Sequence, residues 1–262
     1  VLSAATTSNT EQHFAFAWEG SDYEGLAVYG EGTNLVFRNF SGTWSAESTI
    51  SLGTDSLDAA RLCSGRNISY IGMIWQDSAT GVQARMWDGD AILASPPAED
   101  ATTEQNGAYN INLDCRWHNS KDIALFGFVD SGLQSVDYFT FTRAGETWST
   151  ADLTTTSNTG NFASAAIRSL RFSLHPRTDE IMLTAMDTAE DISTIRWDGS
   201  QFVTIENSII EDNTEVPDGD QEGVMFDWSR YYPRPSVYDI EPVNGTHYTA
   251  SDTINFSANV TD

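Results

Sequence analysis

The chain has 262 residues, of which 40% are hydrophobic and 11% aromatic, and its formal net charge is −25. That length and apolar content are enough to bury a large core, and they exclude a disordered chain. The excess of carboxylates argues against binding to nucleic acids or to anionic membranes, and it favours cations or basic partners.

The thirteen basic residues are arginines with the single exception of Lys121. Such an acidic, lysine-poor composition resembles that of proteins from saline environments, including cell-surface proteins of halophilic archaea. An ordinary secreted acidic protein is the alternative. No run approaches the roughly 18 apolar residues that a membrane span needs, and no signal peptide is visible, so we expect a mature or trimmed extracellular piece.

Short runs rich in β-branched and aromatic residues, separated by Gly, Asp and Ser, predict strands along most of the chain. Residues 1–11 are small and polar and precede the first strand, which begins after His13. No stretch keeps a helical period long enough to compete. The predicted fold class is therefore all-β.

Two markers recur along the chain and divide it into repeats. Hairpin turns carry a glycine at positions 42, 89, 145 and 199. An aspartate at 77, 130 or 187 follows, by sixteen residues, a charged residue: Arg61, Asp114 or Arg171. Each unit then reads as four strands in about 55 residues, and a period of that size indicates a solenoid or a propeller.

We expect the first unit to lack a leading strand, because only a short segment of small and mostly polar residues precedes His13. Residues 224–232 match a leading strand and place Asp227 at the marker position. We therefore predict a four-bladed β-propeller over residues 1–233, in which strand 224–232 closes the first blade. A larger ring of five to seven blades is the alternative.

Two of the hairpin turns resemble the Asp-box of sialidase-type propellers, Ser-x-Asp-x-Gly-x-Thr-Trp. Residues 41–44 and 144–148 keep its Gly and Trp but lack its Asp. The box is a folding element in that family, so the resemblance implies a propeller and no hydrolytic site. The family's arginine cluster and its Tyr/Glu nucleophile cannot be mapped onto this chain.

Residues 234–262 differ in character from the repeats. They run Val-x-x-Ile-x-Pro-x-x-Gly-Thr and end in Val-Thr-Asp, which resembles the first strands of a bacterial or archaeal Ig-like surface module. A full sandwich needs about 100 residues. The resemblance therefore implies either a fragment of a longer protein or a fold completed by a neighbouring chain.

The marker residues Arg61, Asp114, Arg171 and Asp227 alternate in charge. On leading strands they would form a ring around the central channel, and we interpret this ring as a structural ion network or a polar plug. A catalytic role is the less favoured interpretation, because functional and structural charge clusters look alike in a sequence.

Two groups of residues are weak metal candidates. Asp218, Asp220 and Glu222 surround Gly219 and offer oxygen ligands for Ca²⁺, although a solvated acidic loop is favoured over a site. His118 and His175 occupy equivalent positions in two units, but no third ligand accompanies them to make a zinc site. No other cofactor is expected.

Cysteines, sequons and tryptophans complete the list of candidate residues. Cys63 and Cys115 either form a disulfide or remain free thiols. The Asn-X-Ser/Thr triplets at Asn39, Asn67, Asn244, Asn255 and Asn259 are glycosylation candidates in a secretory route. Of the eight tryptophans, those at 44, 87, 148 and 197 flank the hairpins, where packing between blades is favoured over stacking on sugar rings.

The sequence shows no nucleophile–base pair, no phosphate-binding glycine loop and no credible catalytic metal cluster. We therefore expect a non-enzymatic extracellular surface protein, such as an adhesin, an envelope layer or a filament subunit. Its partners would be copies of itself or other surface proteins. A carbohydrate-binding, lectin-like propeller is the alternative, and a glycoside hydrolase is less favoured.

Overall fold

The computed structural model describes residues 14–77, 81–93, 98–100, 112–129, 134, 136–149, 153–154, 163, 165–189, 191–203 and 209–211. Regular structure in these ranges consists of strands, which confirms the all-β prediction. The described ranges contain no helix with the length and apolar character required to span a bilayer.

The strands form four antiparallel sheets that follow one another in chain order. The first sheet contains β1 (Phe14–Trp18), β2 (Gly25–Glu31), β3 (Asn34–Phe40) and β4 (Ser48–Ser51). The second contains β5 (Leu57–Ser64), β6 (Ile71–Asp77), β7 (Val82–Trp87) and β8 (Ala98–Asp100). The third contains β9 (Leu113–His118), β10 (Ile123–Val129), β11 (Val136–Thr142), β12 (Thr147–Trp148) and β13 (Leu153–Thr154). The fourth contains β14 (Ile167–Leu174), β15 (Ile181–Asp187), β16 (Ile192–Trp197), β17 (Phe202–Val203) and β18 (Ile209–Glu211).

The leading strands β1, β5, β9 and β14 lie side by side, each in contact with the next. The remaining strands of each sheet extend away from them in chain order. This arrangement fits a β-propeller, in which small sheets radiate from an axis lined by leading strands. The closure of a ring by four sheets alone stays a prediction.

Three apolar cores fill the spaces between successive sheets. Leu26 and Val28 of the first sheet pack with Trp75 of the second. Further cores join the second sheet to the third and the third to the fourth. Complete burial of one large apolar side chain stabilises a fold by about 1.5–3 kcal/mol, so these cores hold the sheets together.

The expectation that the first unit lacks a leading strand is wrong. β1 occupies that position and pairs with β2, from Phe14 opposite Tyr29 to Trp18 opposite Gly25. The sequence pattern did not predict β2, because glycines near its ends make the segment resemble a linker. The first five residues of β2 are nevertheless buried. The first sheet thus reaches four strands without residues 224–232, which lie outside the described residues, as do the predicted boundary at residue 233 and the Ig-like segment 234–262.

Strand pairing also fixes which residue holds the marker position in the first sheet. In the second sheet, Trp87 lies just before the turn at Gly89 and pairs with Ile71. Three residues further along the same strand, Ile74 pairs with the marker Arg61. In the first sheet, Phe40 lies before the turn at Gly42 and pairs with Gly25, and three residues further along, Val28 pairs with Ala15. The alternating charges therefore do not extend into the first sheet, because Ala15 stands at that position.

The four turn glycines all adopt positive φ, with values of 87°, 111°, 103° and 95° at Gly42, Gly89, Gly145 and Gly199. Residues that carry a Cβ atom rarely adopt positive φ, so the backbone conformation of these turns explains why glycine recurs in them. Asp88 and Asp198 cap two of these turns. Asp198 Oδ1, for example, accepts hydrogen bonds from the backbone N–H groups of Ser200 at 2.9 Å and Gln201 at 3.0 Å.

Candidate functional site

Polar and aromatic side chains meet at three places where successive sheets touch. At each of them, the segment between the first two strands of one sheet contacts the turn between the third and fourth strands of the following sheet. We call these places the first, second and third junctions, in chain order.

The second junction joins Tyr70, just before β6, to the turn between β11 and β12. The Tyr70 hydroxyl donates a hydrogen bond to Glu146 Oε1 at 2.8 Å. The Arg143 guanidinium lies 5.8 Å from the centre of the Tyr70 ring. Arg143 Nε also donates to Asp122 Oδ2 at 2.6 Å. The junction thus combines an aromatic ring, a guanidinium and two carboxylates.

These groups are reachable from solvent. The side chains of Arg143 and Asp122 are 40% and 30% exposed, and Glu146 is exposed. Burial, reinforced by the hydrogen bond to Glu146, raises the pKa of Tyr70 to about 12, so its hydroxyl stays a donor at neutral pH. Arg143 has five N–H donors, and the bond from Nε to Asp122 uses one of them. The other N–H groups of Arg143 and the carboxylate oxygens of Glu146 and Asp122 suit a ligand that both donates and accepts hydrogen bonds.

The third junction is more tightly packed. His118 is 2% exposed, and its ring meets Trp197 edge-on with centroids 5.5 Å apart. A Cβ atom at Gly199 would lie only 2.8 Å from His118 Nε2, so the turn glycine allows close approach there. Burial lowers the pKa of His118, which keeps the imidazole neutral at physiological pH.

The first junction buries a carboxyl group. Glu19 is 7% exposed, and its Oε1 has no hydrogen-bond partner within the part of the chain that is described. A Cβ atom at Gly89 would lie 3.2 Å from that oxygen. Burial, followed by repulsion from Glu24, Asp22, Asp90 and Asp88, raises the pKa of Glu19 to about 7.

The structure brings together the three marker residues that it describes. Asp114 Oδ2 accepts the backbone N–H of Phe172 on β14 at 2.8 Å, and Oδ1 accepts that of Cys115 at 2.9 Å. Burial raises the pKa of Asp114, and the charges of Arg171 and Arg61 partly oppose that shift. Burial also lowers the pKa of Arg61 to about 10. Asp227 lies outside the described residues.

Cys63 and Cys115 form a disulfide, with their Cα atoms 5.6 Å apart. The bond joins β5 to β9 and so links the second sheet covalently to the third. The sequence was compatible with a disulfide or with two free thiols, and the structure contains the disulfide.

The described tryptophans differ in exposure, and Trp228 lies outside the described residues. Trp75, Trp87, Trp117 and Trp197 are fully buried between sheets. Trp148 packs against Phe126 and Phe141 with ring centroids 5.2 and 5.0 Å apart. Trp18 and Trp44, by contrast, are 51% and 39% exposed on the outer side of the first sheet.

The other candidates remain separate or lie outside the described residues. His175 Nδ1 accepts the backbone N–H of Thr178 at 3.0 Å, a local turn contact. No group of three or more potential metal ligands gathers in the described ranges. Asn67 is exposed in a turn and Asn39 is partly buried on β3. The remaining candidates are outside: Asp218, Asp220, Glu222, Asn244, Asn255 and Asn259.

No family model and no curated protein matches this chain. Among solved structures, the BP39L lectin from Burkholderia pseudomallei superposes with a TM-score of 0.51 at 10% identity, over 79% of this chain and 56% of that one. The six-bladed β-propeller lectin of Aleuria aurantia, described by its fucose recognition, gives 0.45 at 10% identity, over 69% and 55%. The NanB sialidase of Streptococcus pneumoniae gives 0.45 at 11% identity, over 66% and 27%.

These likenesses concern the fold alone, and the four antiparallel sheets fit a β-propeller. The chain spans a little more than half the length of the two lectins. The similar structures include both lectins and a sialidase.

Sequence reasoning missed Tyr70, Arg143, Glu146 and Glu19. One signal was available for the second junction, because the turn there begins with Arg143, whereas the equivalent turns begin with Phe40, Trp87 and Trp197. No signal pointed to Tyr70, which lies 76 residues from its partner Glu146.

Proposed function

We propose that this chain binds carbohydrates as a lectin-like propeller and that the second junction holds the sugar. The observation that carries the proposal is the grouping of Tyr70, Arg143, Glu146 and Asp122 at one accessible edge between two sheets. A carbohydrate-binding propeller was the alternative interpretation of the sequence, and we now favour it over a structural surface protein.

A sugar ring matches these groups chemically. Its hydroxyls act as donors and acceptors, which suits the arginine N–H groups on one side and the carboxylate oxygens on the other. Its C–H face suits an aromatic ring such as that of Tyr70. The lectin function of the structural neighbours, one of which is described by its fucose recognition, supports this class of ligand.

An extracellular location fits the proposal. The disulfide Cys63–Cys115 is typical of oxidising compartments. Glycan binding would also serve adhesion at a cell surface. Self-association, bound Ca²⁺ and occupied glycosylation sites stay predictions.

A glycan array probed with the full chain tests the proposal. We expect binding to a defined set of glycans, including α-fucosides. Arg143→Ala removes the guanidinium from the junction and should weaken binding at least about tenfold, since hydrogen bonds to charged groups contribute about 1.5–3 kcal/mol each. Arg177→Ala is the matched control, because Arg177 is an exposed arginine of the fourth sheet. Absence of glycan binding, or equal binding by the two variants, would refute the proposal.

A further inference from the structure

Three arginines and one aspartate lie on adjacent leading strands, and we call them the arginine cluster: Arg61 on β5, Asp114 and Arg116 on β9, and Arg171 on β14. β9 contacts both β5 and β14. The disulfide joins Cys63, which lies two residues after Arg61 and on the same side of β5, to Cys115, which lies between Asp114 and Arg116. Asp114 in turn accepts the N–H of Phe172, the residue next to Arg171, at 2.8 Å. These links bring the four charged side chains to one region.

Positive charge is in excess in the arginine cluster, because three guanidinium groups share one carboxylate. Both oxygens of that carboxylate, Asp114 Oδ1 and Oδ2, already accept backbone N–H groups. Burial, followed by repulsion from the like charge of Arg171, lowers the pKa of Arg61 to about 10. The guanidinium groups of Arg61 and Arg171 are thus close enough to repel each other. This local excess contrasts with the formal net charge of −25 of the chain.

Most N–H donors of the arginine cluster are available to a ligand. Within the described part of the chain, no carboxylate oxygen lies in direct contact with a guanidinium group of the cluster. Arg61 Nη1 donates to the carbonyl of Ala60 at 3.4 Å, which is long for an N–H donor. Each guanidinium group has five N–H donors. Arg61 and Arg171 are partly exposed and Arg116 is exposed, so a small solute can reach them.

We propose that the arginine cluster binds a small carboxylate anion. The planar fork of a guanidinium group matches the two oxygens of a carboxylate, so a carboxylate is favoured over a halide ion. An anion between Arg61 and Arg171 relieves the repulsion between them. The negative charge of the whole chain opposes the approach of anions, but salt screens charges more than about 8 Å away at physiological ionic strength. The site contains no residue of the second junction, so it is independent of glycan binding there.

An NMR titration of the full chain, labelled with ¹⁵N at arginine, tests the proposal. Sodium acetate replaces sodium chloride at constant ionic strength, and the side-chain Nε–H signals are followed. The signals of Arg61 and Arg171, assigned by single substitutions, should shift saturably with acetate. The signal of Arg177, an exposed arginine of the fourth sheet, should not shift. Absence of a saturable shift at Arg61 and Arg171, or an equal shift at Arg177, would overturn the proposal.

Substitutions separate recognition of a carboxylate from attraction by charge alone, with the Arg61 signal as the readout. Arg171→Gln should weaken acetate binding at least about tenfold, because hydrogen bonds to a charged partner are lost. Arg171→Lys keeps the charge but loses the planar fork, and it should weaken binding about threefold or more. Arg177→Gln is the matched control and should bind acetate like the unmodified chain. Unchanged affinity in Arg171→Lys, or chloride as effective as acetate, would contradict carboxylate recognition, and the titration of the unmodified chain decides the proposal if a variant does not fold.

Discussion

The pKa of Glu19 depends on residues near it in the sequence and on residues of the second sheet. The backbone N–H of Glu19 donates to the carbonyl of Glu24 at 2.8 Å, which closes the loop between β1 and β2. The next N–H, that of Gly20, donates to Ile68 of the second sheet at 2.9 Å. The carboxyl group of Glu19 is buried next to the turn at Gly89. A charge is costly at such a place, so the proton is retained to higher pH.

This burial predicts a pH-dependent stability. The pKa of Glu19 rises from 4.5 to about 7 on folding, so its stabilising effect is complete below pH 4.5 and is lost as the pH rises to 7. The free energy of unfolding should fall by about 1–3 kcal/mol over that window, and Glu19→Gln should remove the fall. Urea denaturation at several pH values measures it. Glu24→Gln is the control, because it leaves the buried carboxyl in place and should keep most of the dependence.

At the scale of the elements, the leading strands are tied to one another by side chain to backbone contacts as well as by apolar packing. The carboxylate of Asp114 reaches from β9 to the backbone of β14. Its charge lies between those of Arg61 and Arg171, and burial is the largest influence on the pKa of all three residues. All three residues are partly buried, and removing one member of such a charge cluster destabilises the fold.

Asp114→Ala should therefore lower the free energy of unfolding by about 2–4 kcal/mol, because Phe172 loses its acceptor and the two arginines lose their counter-charge. Thermal unfolding followed by circular dichroism measures the effect. Asp114→Asn keeps an acceptor oxygen and should cost less than the alanine variant. An unchanged melting temperature in Asp114→Ala would show that the cluster does not stabilise the fold.

At the scale of the whole molecule, the described parts of the sheets are joined by three apolar cores, three junctions and one disulfide. The disulfide closes a loop between residues separated by 52 positions, which is close to one repeat. It therefore restricts the unfolded chain over the length of a whole sheet. In the chain-entropy model, a crosslink of that span stabilises the folded state by about 4 kcal/mol.

Reduction of the disulfide should accordingly lower the melting temperature while glycan binding at the second junction is retained at low temperature. Thermal scans with and without dithiothreitol measure the shift. The variant in which both Cys63 and Cys115 are alanine is the control, since its melting temperature should already be low and should not respond to the reductant. Equal stability of the oxidised and reduced protein would contradict the prediction.

The sequence by itself determined the all-β class, the repeat and the position of the hairpin turns. Strand alternation and glycine at positive φ are local properties, so residues such as Gly89 and Gly199 can be interpreted from their neighbours in the chain. It also identified Arg61, Asp114 and Arg171 as equivalent positions. It failed at β2, whose flanking glycines resemble a linker although the strand is central and buried.

Only the tertiary structure decided the junctions, the pairing of Cys63 with Cys115 and the division of the tryptophans into buried and exposed. Each of these depends on which sheet faces which, and the partners lie far apart in the chain: Tyr70 and Glu146 are 76 residues apart. Packing between sheets selects such pairs, and no local pattern records it. For the same reason Trp44 and Trp87, which both flank hairpins, differ in exposure, since only Trp87 has a described sheet packed against it.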